Sequence, residues 1–267
     1  MDTTGTTGGT LDGEQRYHVA LYVTCLIDLF RPSVAFDSIK LLERAGCRVF
    51  VPTSQTCCGQ PSYNSGDYKS TVPLAQQLIE VFEFADYVVV PSASCAAMIR
   101  HHYPKLLEDS WRDRAITLAA KTFELTEFLV DVAASPGQPV NESASSSVVS
   151  YHDGCMGLRE LGISAQPRQL LKQLRNIDVT ELAETDVCCG FGGTFCAKMP
   201  EISAKMTDDK LDSALATGAN VLTGGDMGCL MNLAGRAKRL GKTLEIRHIA
   251  ELLADNTSEP GIAEGRK

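Results

Sequence analysis

The stretch YHVALYVTC, residues 17–25, decides the fold: a short apolar run that ends on a cysteine. His18 to Thr24 is too short for a core helix and rich in aromatic and β-branched side chains, so it reads as a buried strand leading into Cys25. Cys47 to Pro52 (CRVFVP) is a second such strand, leading to Cys57-Cys58, and Tyr87 to Pro91 (YVVVP) is a third, leading to Cys95. Between the last two, Leu74, Leu78, Val81, Phe82 and Ala85 recur at helical spacing and predict one face of a helix. Short apolar strands alternating with helices predict a parallel sheet. Parallel strands carry all their carboxyl ends to one edge, where open α/β sheets bind ligands. Cysteines distant in sequence then meet in one small volume.

The pattern is written twice. Of ten cysteines, eight fall into two sets: Cys25, Cys57, Cys58 and Cys95, then Cys155, Cys188, Cys189 and Cys229. Matching members are offset by 130, 131, 131 and 134 residues, and each pair is followed by glycine, Gly59 or Gly190. Two series in such register indicate an internal duplication. Val148 to His152, Val179 to Leu182 and Val221 to Thr223 repeat the strands ahead of Cys155, the Cys188-Cys189 pair and Cys229. The predicted fold is therefore α/β, with two pseudo-symmetric repeats, each a small parallel sheet flanked by helices, and cysteines at the carboxyl ends of strands. The repeats are placed at residues 17–134 and 148–254. Residues 135–147 (SPGQPVNESASSS) read as a linker, and residues 1–16 and 255–267 as disordered tails. Cys47 and Cys196 have no counterparts and are expected to lie outside the chemistry.

Composition narrows the function classes. The 267 residues carry a formal charge of −8 and no Lys/Arg-rich block, so nucleic acid is not an expected partner. No apolar run approaches the roughly 20 residues of a membrane helix. The Thr/Gly-rich start has no apolar segment of the signal-peptide kind, so a cytoplasmic protein is expected. In a reducing compartment, ten cysteines are better explained by metal or redox chemistry than by disulfides. Four thiolates around one point suit an iron–sulfur cluster or a zinc ion. The order C…CC…C differs from the two tight knuckles of a zinc ribbon and favours the larger object, with zinc as the alternative. A vicinal dithiol working by disulfide exchange is a further option, but it leaves Cys25 and Cys95 without a role. The loop Gly190-Phe191-Gly192-Gly193-Thr194 lacks the lysine of a phosphate-binding loop and offers bare amides to cluster sulfurs instead.

These residues resemble the cysteine-rich CCG domain, which occurs duplicated in heterodisulfide reductases and in the iron–sulfur components of glycolate oxidases. Within that family the similarity is nearest to the A subunits of bacterial lactate-utilisation complexes. It is carried by Val23-Thr24-Cys25, by Cys57-Cys58-Gly59-Gln60-Pro61 with Asn64-Ser65-Gly66, and by Ser94-Cys95. Cys188 to Phe195 (CCGFGGTF) and Arg247 to Leu252 (RHIAEL) add to it, over roughly Tyr17 to Ala254. The resemblance implies an iron–sulfur electron-transfer subunit, part of an oxidoreductase rather than a whole enzyme. Its expected partners are a ferredoxin-like iron–sulfur subunit and a third, small subunit, which together oxidise L-lactate to pyruvate. It implies one or two clusters, [4Fe–4S] in type, held by Cys25, Cys57, Cys58 and Cys95 and by Cys155, Cys188, Cys189 and Cys229. The full CCG domain ends in CxxC, giving five cysteines per repeat. Here Ser92 and Asp226 replace the first cysteine of that element. Five thiolates suit the non-cubane cluster of the heterodisulfide reductases, whereas four suit an ordinary cube or zinc. Ser92 is expected to be a helix cap, and Asp226 a nearby hydrogen-bond acceptor or strand-end cap, with an oxygen ligand as the alternative.

Other residues carry less. His152 and Asp153 precede Cys155; His152 is read as hydrogen-bonded at a strand end, with proton acceptance as the alternative. His101 and His102 are expected at the surface, and His248 at the start of the last helix. No GxGxxG follows a strand, so no nicotinamide or flavin fingerprint is visible, and electron relay is the expected role.

Overall fold

The computed structural model describes residues 17–134 and 146–265. Two four-stranded, all-parallel sheets form, one from each half. The first contains β1 (Tyr17–Leu21), β2 (Cys47–Phe50), β3 (Tyr87–Val90) and β4 (Thr122–Glu124), in the order β2-β1-β3-β4. The second contains β5 (Ser147–His152), β6 (Ile177–Thr180), β7 (Val221–Gly224) and β8 (Glu245–His248), in the order β6-β5-β7-β8. The duplication holds to the residue: Val19 pairs with Val49 and Tyr87, and Val149 with Val179 and Val221.

The strands read as continuous apolar runs because the first sheet is covered on both faces. Alternate residues of β1 point to opposite sides. Val19 and Leu21 enter a core shared by both halves, with Val89, Val149, Leu222 and Ile246. Ala20 and Tyr22 face a core of the first half alone, with Val88, Leu78, Ile79 and Phe82. Helices Ser33–Arg44, Tyr68–Phe82 and Asp109–Ala120 connect the strands of the first sheet in turn; Ala165–Leu171, Pro200–Ala216 and Met227–Arg239 connect those of the second.

Several expectations need correction. The first strand stops at Leu21, not Thr24, because the Val23 amide leaves the ladder for the Gln55 side chain at 2.8 Å. The buried face of Tyr68–Phe82 consists of Thr71, Ala75, Leu78, Ile79 and Phe82, and Ala85 lies beyond the helix end. β4 and β8 were not foreseen. Residues 255–265 are packed rather than loose: Ile262 is buried, its amide bonds Ile246 O at 2.8 Å, and Pro260 O accepts from Arg31 at 2.7 Å. Ser147, at the end of the expected linker, belongs to β5. The expected tail 1–16 and linker residues 135–145 lie outside the described residues.

The strand order places β1 and β3 side by side at the centre of the first sheet. Chain leaves them in opposite directions, which opens a crevice at their carboxyl ends. The second sheet repeats this at β5 and β7. The two carboxyl edges face each other across a seam. The Ala93 amide donates to Gly225 O at 3.2 Å, the Asn64 side chain to Gly192 O at 3.4 Å, and Ser65 and Thr194 share a 2.9 Å hydroxyl contact.

Candidate metal centres at the carboxyl edges

Cys25 is the first residue of helix Cys25–Phe30, directly beyond β1. Cys95 is the third residue of helix Ala93–Ala97, beyond β3. In the second half, Cys155 lies just past β5, and Cys229 is the third residue of helix Met227–Arg239, beyond β7. The Cys57-Cys58 and Cys188-Cys189 pairs come from the loops that follow β2 and β6. Each loop turns on a glycine with positive φ, +79° at Gly59 and +83° at Gly190. A Cβ on Gly190 would come within 2.7 Å of the Ser203 carbonyl, so only glycine fits there.

The eight expected cysteines fall into two quartets linked by thiol–thiol contacts, Cys25–Cys57–Cys58–Cys95 and Cys155–Cys188–Cys189–Cys229, and none of the ten is in a disulfide. In the first quartet Cys58 Sγ lies 3.2 Å from Cys95 Sγ, and the Gly59 amide donates to Cys57 Sγ at 3.4 Å. Donation from the Cys25 and Cys58 thiols, helped by that amide, pulls the Cys57 thiol down to about 3 against the effect of burial. The donors Cys25 and Cys58 are raised in turn, each by its bond to Cys57. The second quartet repeats the arrangement. Cys155 and Cys189 donate to Cys188, the Gly190 amide adds a 3.4 Å bond, and Cys188 falls to about 2. In each quartet the thiol that accepts from its neighbours, Cys57 or Cys188, is the one biased toward the thiolate, the form that binds metal. The second carbonyl of each pair is also held by a side-chain donor: the buried Tyr103 OH to Cys58 O at 2.8 Å, and the half-buried Asn232 side chain to Cys189 O at 3.0 Å. Neither donor was foreseen, because they lie 45 and 43 residues from their acceptors with no intervening pattern.

Cys47 sits at the opposite, amino end of β2, where burial pushes its thiol up to about 11. Cys196 is half-buried in helix Phe195–Lys198.

Some polar residues around the quartets meet expectation, Asp226 as an acceptor and His248 at the start of the last helix, and others depart from it. Ser92 stands at the N-cap position of its helix, but its side chain makes no cap. Asp226 stands at the N-cap of Met227–Arg239, yet it caps the other half's helix. Its Oδ2 accepts from the Ser94 amide at 2.9 Å and from Ser92 Oγ at 3.4 Å. His102 is half-buried rather than exposed, bonded to Tyr63 OH at 3.2 Å and Glu160 Oε2 at 2.9 Å. His248 ends β8 and caps helix Ile249–Leu253, while its Nε2 reaches Pro91 O of the other half at 3.1 Å. His152 is buried but, contrary to expectation, neither ring nitrogen has a hydrogen-bond partner. Asp153 beside it is held by both terminal nitrogens of Arg168, at 2.9 and 2.7 Å.

A cleft of about 540 Å³ opens beside the first quartet, lined by Cys25 and Cys57 together with Leu29, Val51 and Gln55. Leu29 is exposed at its rim. Among the described residues, no helix is long and apolar enough to cross a membrane.

Two parallel sheets with a cysteine quartet at each facing edge define a duplicated cysteine-rich domain. The family model described as CCG, cysteine-rich domain, matches residues 19–100 and again residues 149–234. Lactate utilization protein A of Exiguobacterium sp. is 47% identical over 246 residues, 91% of this chain and 99% of that protein. The proteins of that name from Halalkalibacterium halodurans and Bacillus thuringiensis are 47% and 44% identical, each over 88% of this chain and at least 96% of their own length. The chain belongs to the CCG cysteine-rich family, in the branch represented by Lactate utilization protein A. Its clustered cysteines point to metal or iron–sulfur binding.

Proposed function

We propose that the chain is an iron–sulfur electron-transfer subunit of a multi-component system that oxidises L-lactate to pyruvate. The observation that carries this reading is the pair of linked four-thiol sets in a chain so similar, over nearly its full length, to proteins named for lactate utilisation. The donor chemistry fits the group. Cys25, Cys57, Cys58 and Cys95 would hold one cluster and Cys155, Cys188, Cys189 and Cys229 the other, and all-thiolate sets suit [4Fe–4S] centres. Such centres accept and release electrons one at a time. Oxidation of lactate to pyruvate releases two electrons and two protons, so a subunit with two one-electron centres matches the demand.

The chain's own residues do the positioning. Gly59 and Gly190 aim their amides at a ligand sulfur of each quartet, which raises a reduction potential. The seam of hydrogen bonds sets the two edges face to face, which suits passage of electrons between the halves. The cleft at Cys25 and Cys57 gives the first centre an opening to the surface, where a ferredoxin-like iron–sulfur subunit would dock; a third, small subunit completes the proposed assembly. The proposed location is the cytoplasm.

The test is iron, acid-labile sulfide and zinc per chain in anaerobically purified protein, with visible spectra before and after dithionite. Equal iron and sulfide, about eight of each for two filled cubes, with a band that bleaches, is the expected result. Zinc with no visible band would replace the electron relay by a structural scaffold. Metal-free protein whose cysteine pairs cycle between dithiol and disulfide would replace it by thiol–disulfide chemistry.

A further inference from the structure

His152 is the last residue of β5 and is 1% exposed, with both ring nitrogens buried and unpartnered. A neutral imidazole has one N–H to give and one lone pair to receive. Leaving a buried polar group unpaired is costly, and folded proteins seldom tolerate it without a reason. The reason lies beside the ring. A ring nitrogen of His152, Cys189 Sγ and Cys229 Sγ all lie within 4.8 Å of one another, and all three residues are buried. Nitrogen and sulfur donors gathered at that spacing surround the place of a metal atom.

Among its described residues the first half has nothing similar. The matching residue is Tyr22, which follows β1 as His152 closes β5. Its hydroxyl is already spent on Thr56 O at 2.7 Å. The other candidate for a fifth donor in the second half, Asp226, turns its Oδ2 to the Ser94 amide and Ser92 hydroxyl of the first half. The strand-end histidine is the donor with no partner at either ring nitrogen.

We propose that His152 is a nitrogen ligand of the second centre. The two centres then differ: thiolates alone in the first, and His152 with thiolates that include Cys189 and Cys229 in the second. The inference rests on the reading that the second quartet holds a metal centre. Replacing thiolate by neutral imidazole raises the potential of an iron–sulfur centre, so the second centre is the one that holds an electron longer.

The experiment uses the full chain, prepared anaerobically with iron and sulfide, with histidine carrying either ¹⁴N or ¹⁵N. Pulsed EPR of the dithionite-reduced protein is expected to show a nitrogen coupling that changes with the isotope and disappears in His152→Phe. His152→Cys keeps a donor in place. It is expected to keep its iron, lose the coupling and shift the second midpoint potential downward. Iron in the second quartet without a histidine coupling, or a coupling that survives His152→Phe, overturns the inference and leaves the electron-transfer reading intact. If the second quartet takes zinc, X-ray absorption with a nitrogen at about 2.0–2.1 Å beside sulfurs at about 2.3 Å supports the ligand and overturns the iron–sulfur reading for that half. A Cys188→Ser chain that loses no metal overturns both.

Discussion

Tyr22 and His152 stand at matching places, just past β1 and at the end of β5, Ser92 and Asp226 precede matching cysteines, and Glu124 and His248 close matching fourth strands. The two halves share strand order and register beside these places. The chemistry differs. In the first half the three positions carry a phenol, a hydroxyl and a carboxyl group; in the second, an imidazole, a carboxylate and an imidazole. Glu124 and His248 make the point sharply. Each caps the short helix that follows, Leu125–Glu127 or Ile249–Leu253, and each cap is answered by a glutamate of that helix, Glu127 or Glu251. Duplication preserved the job of the position, and the residue that fills it was free to change charge. The shared scaffold therefore builds two electrostatically distinct sites.

The largest effects are expected from the accepting thiol of each quartet. Cys57→Ser should remove the metal of the first half and leave the second, and Cys188→Ser should do the reverse, each retaining about half of the wild-type iron. Elemental analysis with visible spectroscopy checks both. If either substitution strips all the metal, the halves form one site and the comparison fails.

Next in size is the pH dependence of the two caps. Burial pushes Glu124 up to about 7. The folded chain then binds that proton more tightly than the unfolded chain. The stabilisation is whole below the ordinary carboxyl value and is lost as pH rises through about 7. Burial pushes His248 down to about 4. Here the folded chain keeps the ring neutral, so stability is whole above about 6.5 and is lost as pH falls toward 4. Each effect amounts to about 3 kcal/mol across its window. Urea unfolding between pH 4 and 8 is expected to show the alkaline loss reduced in Glu124→Gln and the acid loss reduced in His248→Gln. Equal pH profiles for the two variants would remove the contrast.

The smallest effect concerns the cap across the seam. Asp226→Ala removes the charged acceptor of the Ser94 amide, at a cost of about 1–2 kcal/mol. Ser92→Ala removes only two long contacts, of 3.4 and 3.5 Å, at about 0.5 kcal/mol or less. Denaturant midpoints of the two variants measure the difference. A larger loss from Ser92→Ala would mean that the serine, not the aspartate, organises the seam.

Much of this was legible in residue order. Apolar runs ending on cysteine revealed six of the eight strands, because a strand buried on both faces leaves an unbroken hydrophobic signature. The matched spacing of the CCG segments revealed the duplication and both quartets. β4 and β8 escaped, since Thr122–Glu124 and Glu245–His248 are short and carry charged or titratable residues that a pattern search reads as loop. The ordering of residues 255–265 escaped too. It depends on Arg31 and Ile246, which lie far away in the chain.

The sequence by itself determined the α/β class, the repeat and the eight cysteines, since these rest on local hydrophobicity and on spacing along the chain. Only the tertiary structure decided that Asp226 caps the neighbouring half's helix, that Glu124 is buried, and that His152 faces two thiols with no other partner. Those facts depend on how two edges meet across residues more than 100 positions apart. No local pattern encodes such a meeting; the packing of two completed sheets creates it.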